Sequence, residues 1–104
     1  MADLTQDDWW KKAQEDPEAV ILDVRTEAEI EDGYIPGALF IDFYGGAEFV
    51  QGIDALDKSK TYYVYCRSGN RSGQACAIMN SRGISNTHNL LGGMMEWEGE
   101  VVED

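Results

Sequence analysis

The sequence predicts an α/β fold, a mostly parallel sheet with helices on both faces, from three observations. Short β-branched or aromatic runs, Val20-Ile21-Leu22-Asp23-Val24 and Thr61-Tyr62-Tyr63-Val64-Tyr65, have the length and composition of buried strands. Helix-start and helix-stop residues stand between such runs, so strand and helix alternate along the chain, the order that builds parallel crossovers. At 104 residues, 43% hydrophobic and 11% aromatic, the chain fits a single domain, residues 1–104, around one core.

Taken in order, Thr5 with Asp7 and Asp8 behind it caps a first helix carrying Trp9 and Trp10, because acids favour the positive end of a helix, and Pro17 marks its exit. Residues 20–24 follow as a strand. Thr26 and Glu29 have the spacing of a capping box, opening a helix that runs through Asp32 and stops at Gly33. Tyr34-Ile35-Pro36-Gly37 is a turn, residues 38–41 a short strand and residues 46–52 a short helix. Residues 61–65 carry the strongest strand signal. A helix over residues 72–82 ends at Gly83, residues 86–90 form a last strand, and residues 93–98 a final helical turn bearing Trp97.

A net charge of −12 argues against a nucleic-acid partner, whose phosphates are held by a basic face. No apolar run approaches the ~20 residues of a membrane span. The start MADLTQDDWW lacks the basic and then apolar layout of a secretory signal, so a cytoplasmic, monomeric protein with no membrane partner is expected. The charge is unevenly spread. Residues 1–60 hold 15 acids and 5 bases, residues 96–104 hold 5 acids and no base, and residues 61–95 hold Arg67, Arg71 and Arg82 with no acid. That acid-free stretch is either simply core or a region of raised potential in an anionic body; core alone does not explain the paired arginines.

Inside it runs Tyr65-Cys66-Arg67-Ser68-Gly69-Asn70-Arg71-Ser72. A surface turn uses Gly and Asn for positive φ and local hydrogen bonds, but has no use for a thiol beside guanidinium groups. In open α/β sheets ligands bind beyond the carboxyl ends of the strands, where Cys66 leaves its strand and the loop feeds a helix N-terminus with free N–H groups. A thiol with a pKa of about 8.5 is only slightly ionised near neutrality. Lowering it by about two units takes ~2.7 kcal/mol, which one or two charge-assisted hydrogen bonds of ~1.5–3 kcal/mol each supply. Loop amides, the Ser68 and Ser72 hydroxyls and the Arg71 guanidinium are the donors expected to converge on the sulfur, making Cys66 a nucleophile without a histidine base. His88, the only histidine, is expected as an exposed polar side chain on the last strand, with a Cys66–His88 pair as the alternative.

Four ordered pieces, Asp23-Val24-Arg25, Gly33-Tyr34-Ile35-Pro36-Gly37-Ala38, Cys66-Arg67-Ser68-Gly69-Asn70-Arg71-Ser72 and Gly92-Gly93 followed by Trp97, together resemble a single-domain rhodanese across nearly the whole chain. The resemblance implies a three-layer fold with a parallel sheet of about five strands. It also implies a sulfurtransferase without a cofactor, in which Cys66 accepts a sulfane sulfur from a small anionic donor such as thiosulfate. The sulfur is held as a persulfide and passed to cyanide in an assay or to a thiol acceptor. By position, Cys66 is the nucleophile, Arg67 through Arg71 form the backbone cradle, Arg71 closes it and Ser72 follows. Arg67 is expected to point outward and help select an anionic donor, the alternative being a solvated arginine on an exposed loop. Asp23 and Arg25 brace the loop or the neighbouring helix. The family commonly has His where this chain has Tyr34, whose phenol is expected to pack over the turn. Because a −12 body repels a dianion at long range, a persulfide-carrying protein or a low-molecular-weight thiol is the expected working partner.

Two rival readings stay open. Cysteine phosphatases and arsenate reductases of related fold place five residues between Cys and Arg, whereas four separate Cys66 from Arg71, a tighter cup suited to one extra sulfur atom. A non-catalytic rhodanese-like binding module is the other, although such modules often lose the cysteine kept here. Cys76, among Ala75, Ala77, Ile78 and Met79, reads as a small buried hydrophobe, with a resolving or disulfide role as the alternative. Trp9, Trp10, Trp97 and the pair Met94-Met95 read as core or pocket rim, the two methionines setting substrate access if they border the loop mouth, and no spacing of Cys and His suits a metal.

Overall fold

The structure, a computed structural model, describes residues 2–103. Strands β1 (Ala2–Leu4), β2 (Val20–Asp23), β3 (Leu39–Phe40), β4 (Tyr62–Tyr65) and β5 (Thr87–Leu90) form one parallel sheet in the order β1-β5-β4-β2-β3. Helices α1 (Gln6–Glu15), α2 (Glu27–Glu31), α3 (Ala47–Asp54), α4 (Asn70–Ser81) and α5 (Gly93–Glu96) connect them or follow the last strand. Every residue of β4 is buried, as expected of a central strand covered on both sides. Alternation sends Tyr62, Val64 and Cys66 to one face, packed by Phe49 and Ile53 of α3 and by Ala75, Cys76 and Met79 of α4. Tyr63 and Tyr65 face the other layer, built on Trp9 and Ala13 of α1 with Ile35 and Leu90, and edged by Met94 and Trp97. Trp9 is fully buried and meets Tyr63, Tyr65 and Trp97 edge-on at centroid distances of 6.0, 6.0 and 5.8 Å, an arrangement aromatic quadrupoles favour.

The α/β expectation holds, and the differences are one added strand and the ends of other elements. β1 escapes the sequence reading because Ala2-Asp3-Leu4 has no β-branched residue. Its backbone is extended by pairing with β5, Ala2 opposite His88, Asp3 opposite Asn89 and Leu4 opposite Leu90. Helix α4 begins at Asn70, two residues before the expected 72, because Gly69 takes the N-cap position at φ 99°. Asn70 and Arg71 therefore lie in its first turn. The capping box forms as read: the Glu29 N–H donates to Thr26 Oγ1 at 3.4 Å and the Thr26 N–H donates to Glu29 Oε1 at 3.2 Å. Tyr34 packs its ring edge-on against Phe40, centroids 5.0 Å apart.

His88 corrects the expectation of an exposed side chain. It is half-buried and stacked on Tyr63 at 4.9 Å, on the sheet face opposite the one Cys66 packs into. A Cys66–His88 pair is thereby ruled out. Among the described residues no helix is long and apolar enough to cross a membrane.

Candidate active site

Cys66 emerges from β4 fully buried, at the amino end of α4. The Gly69 N–H donates to its Sγ at 3.1 Å, and the Ser72 Oγ lies 3.4 Å from the same atom. Burial by itself pushes the thiol pKa up. Hydrogen bonds from the Ser72 side chain and from the backbone of Ser72, Gly69 and Ser68 outweigh it, so the thiol ionises below its ordinary value. A thiolate here is held by fixed amide dipoles at a helix N-terminus rather than by a base.

Why the loop turns its amides inward follows from Gly92-Gly93. The Met94 N–H donates to the Cys66 carbonyl at 3.0 Å and the Met95 N–H to the Arg67 carbonyl at 2.9 Å, so α5 engages the oxygens of the loop and leaves its N–H groups for the sulfur. That approach is possible only without a side chain at 93. Gly93 has φ 53°, and a Cβ there would stand 2.5 Å from the Arg67 oxygen and 2.6 Å from the Cys66 oxygen. Gly93→Ala is expected to cost about 2–3 kcal/mol and to raise the reactive pKa of Cys66. Denaturant melts and the pH dependence of thiol alkylation check this; unchanged values would mean that the α5 contact does not shape the loop.

Arg71 departs from the expected convergence on the sulfur. Its Nη1 and Nη2 donate to Glu29 Oε1 and Oε2, both at 2.8 Å, and its guanidinium lies over the Tyr44 ring at 5.5 Å. Glu29, already the capping-box acid, offers a planar carboxylate matched to the planar fork, a stronger partner than a thiol. The Arg71 guanidinium beside it holds the Glu29 carboxyl at about 2. Arg71 still meets Cys66 through space, since the two charges interact, but it is a strut tying the loop to α2. Asp23 and Arg25 pair with each other and tie the end of β2 to α2 and the turn after it. Asp23 accepts from the Arg25 backbone N–H at 2.9 Å and from Nη2 at 2.7 Å, and Arg25 donates onward to the carbonyls of Glu29 at 3.2 Å and Gly33 at 2.8 Å.

The remaining loop residues face out. Arg67, Ser68 and Asn70 are exposed, and Asn70 accepts from Gln74 at 2.7 Å. A cavity of about 500 Å³ opens beside the loop, walled by Arg25, Glu29, Asp32, Gly33, Arg67, Met94 and Met95, and Cys66 is not among its walls. Of the two positions read for Met94 and Met95, core or pocket rim, the cavity wall is the one they take. Cys76 is a free, buried thiol whose burial pushes it up to about 11, the behaviour of a packing residue. Among the described residues no cluster of His, Cys, Asp and Glu is arranged to hold a metal ion.

The residue that sequence reasoning missed is Asn89. It is buried behind the loop on β5, accepts from the Ser72 hydroxyl at 2.5 Å, and donates to the Gly69 carbonyl at 3.1 Å. A signal was present: asparagine is depleted in strands, so one in the middle of a buried strand calls for a specific hydrogen-bonding duty.

A cysteine cradled at the carboxyl end of the central parallel strand, with a glycine pair closing the loop from the far side, is the arrangement against which relatives can be compared. Residues 6–100 match the rhodanese-like domain family. The chain belongs to that family. The crystal structure of a rhodanese-like domain protein from Staphylococcus aureus superposes with a TM-score of 0.85 at 30% identity, over 100% of this chain and 99% of that one. The Bacillus subtilis protein YtwF, whose name provisionally makes it a sulfurtransferase, is 39% identical over 91 residues, 88% of this chain and 84% of its own. A protein of Allochromatium vinosum named sulfurtransferase is 36% identical over 80 residues, 77% of this chain and 72% of its own. The rhodanese-like fold thus extends over the whole length that the sequence motifs span.

Proposed function

We propose that this rhodanese-like domain is a sulfurtransferase in which the Cys66 thiolate carries sulfur as a persulfide. The observation that carries the reading is a buried sulfur held by the Gly69 N–H at 3.1 Å beside Ser72, with the backbone N–H groups of Ser68 and Ser72 adding to the charge-stabilising set. The thiolate attacks the terminal sulfur of thiosulfate or of another sulfane donor. A new S–S bond forms, the donor's own bond to that sulfur breaks, and the leaving group, sulfite in the case of thiosulfate, departs with the electron pair. The charge now sits on the outer sulfur. A thiolate or cyanide then attacks that sulfur, and Cys66 leaves as thiolate, ready for another cycle. No electrons are gained or lost overall.

Two features favour sulfur over a phosphoryl or arsenate oxyanion. The cup is one residue shorter than that of cysteine phosphatases, and Arg71, the residue that would clamp an oxyanion, is engaged by Glu29 on both of its terminal nitrogens. Arg67, exposed at the cavity wall, is the cation placed to meet an anionic donor. Met95, 65% exposed at the same rim, offers an apolar contact for a larger thiol-bearing partner, and a protein persulfide or small thiol is the working partner this reading assigns. The test is mass spectrometry after incubation with thiosulfate and desalting. The peptide holding Cys66 is expected to gain ~32 Da, the mass of one sulfur, and to lose it on addition of cyanide or a reducing thiol. An unmodified Cys66, or a sulfur residing on Cys76, would overturn the reading.

A further inference from the structure

The Ser72 hydroxyl has one proton and two acceptors. It lies 2.5 Å from Asn89 Oδ1 and 3.4 Å from Cys66 Sγ, and both Ser72 and Asn89 are almost wholly buried, so no water competes for the choice. The orientation of the Asn89 amide is set by its neighbours. Its Nδ2 donates to Asp3 Oδ1 at 3.0 Å and to the Gly69 carbonyl at 3.1 Å, groups that can only accept, which leaves Oδ1 to face Ser72. A hydroxyl proton goes to the nearer and stronger acceptor, the amide oxygen. The Ser72 oxygen then presents a lone pair to the sulfur, which suits a thiol and not a thiolate.

We propose that Asn89 is a positioning residue that decides where the Ser72 proton points, and through it how reactive Cys66 is. This rests on Cys66 being the nucleophile, as argued above. With the thiol protonated, the chain runs from Cys66 S–H to Ser72 Oγ and from the Ser72 O–H to Asn89 Oδ1. When Cys66 carries negative charge, a rotation about the Ser72 Cβ–Oγ bond swings the proton onto the sulfur and leaves Asn89 Oδ1 without a donor. Once the persulfide has formed and the charge has moved to the outer sulfur, the proton swings back. No covalent bond changes in either rotation. Asn89 therefore opposes ionisation of Cys66, and keeps its thiolate from becoming so well stabilised that it attacks slowly, since nucleophilicity falls with pKa. The tie to Asp3 makes the edge strand β1 part of this device, because the register that sets Asp3 beside Asn89 also fixes the amide.

The charged and titratable groups around the device are Asp3 behind Asn89, Arg71 held by Glu29, Arg67 at the rim and Cys76 on α4. A double-mutant cycle separates their constant background from the proposed coupling. The readout is the rate of iodoacetamide alkylation of the Cys66 peptide against pH, which needs no sulfur transfer and so stands or falls apart from the enzymatic reading. Asn89→Leu is expected to lower the midpoint of Cys66 ionisation by about one pH unit, a tenfold larger ionisation constant, because Ser72 then donates to sulfur alone. Ser72→Ala alone should shift it less than about threefold, because the bond gained at sulfur is offset by the one lost at Asn89. In the Asn89→Leu background the same Ser72→Ala change should raise the midpoint by about one unit. Should Asn89→Leu fail to fold by circular dichroism, Asn89→Asp carries the test: it keeps an acceptor for Ser72, and its upward shift should shrink by at least half when Ser72 is alanine. A shift in either Asn89 variant that is the same with and without Ser72 would assign Asn89 to loop geometry through the Gly69 carbonyl, and would overturn the proposal.

Discussion

Replacing Cys66 by serine is expected to reduce the release of thiocyanate from thiosulfate and cyanide by at least ~10³-fold, to the uncatalysed background. The reason is electronic rather than steric. The donors around position 66 lower the pKa of a thiol, a group that already ionises within about two units of neutrality, whereas an alcohol starts several units higher and stays protonated in the same cup. The substitution removes little volume and keeps a small polar atom in reach of Gly69 and Ser72, so the melting temperature should change by no more than about 5 °C. Retention of a tenth or more of the activity would place the transferring sulfur elsewhere. Cyanide-independent hydrolysis of an aryl phosphate by the wild type, lost in Cys66→Ser, would instead favour phosphatase chemistry.

The largest effect on stability is expected at Asp23. Asp23 is fully buried and Arg25 is 5% exposed, and the carboxylate takes both the backbone N–H and the guanidinium of Arg25. Arg25 in turn holds the carbonyls of Glu29 and Gly33 and lies over the Tyr65 ring at 5.4 Å. Burial alone lowers the pKa of the guanidinium and the hydrogen bond and charge of Asp23 raise it, the second effect prevailing, so the charge persists inside the protein only because the carboxylate is there. Asp23→Ala leaves that cation desolvated with neutral partners and should cost about 3–5 kcal/mol, a fall of roughly 15–30 °C in melting temperature for a domain of this size. The double change Asp23→Leu with Arg25→Met removes both charges and should cost less than the single one. A single-mutant loss below about 1 kcal/mol would show that the pair behaves as a solvated surface bridge.

The two predictions probe parts of the molecule that were unequally readable. Cys66 and its glycine-rich loop stood out because a thiol flanked by arginines serves no turn geometry, and because a strand of the composition of residues 61–65 must end somewhere that a ligand can reach. Asp23-Val24-Arg25 was legible as a motif, while the partners of its two charges were not. Arg71 was readable as a residue of the loop but not in its direction: nothing in Cys66-x4-Arg71 tells that Glu29, 42 positions earlier, presents the better acceptor. Asn89 went unread for a related reason, since its partners are Asp3, Gly69 and Ser72, brought together by the β1–β5 register and the turn into α4.

Local physical chemistry was therefore enough for the α/β alternation, the capping box over Thr26 and Glu29 and the thiol-bearing loop at the carboxyl end of a strand, each set by a few neighbouring residues. The packed molecule alone assigned the partners: which acid takes Arg71, which face His88 stacks on, that Ala2–Leu4 becomes a strand, and where the Ser72 hydroxyl finds its strongest acceptor. Propensities and caps act over one or two helical turns and can be read along the chain. A buried hydrogen bond or ion pair is won by whichever group the fold brings within about 3 Å, and that contest is settled only in three dimensions.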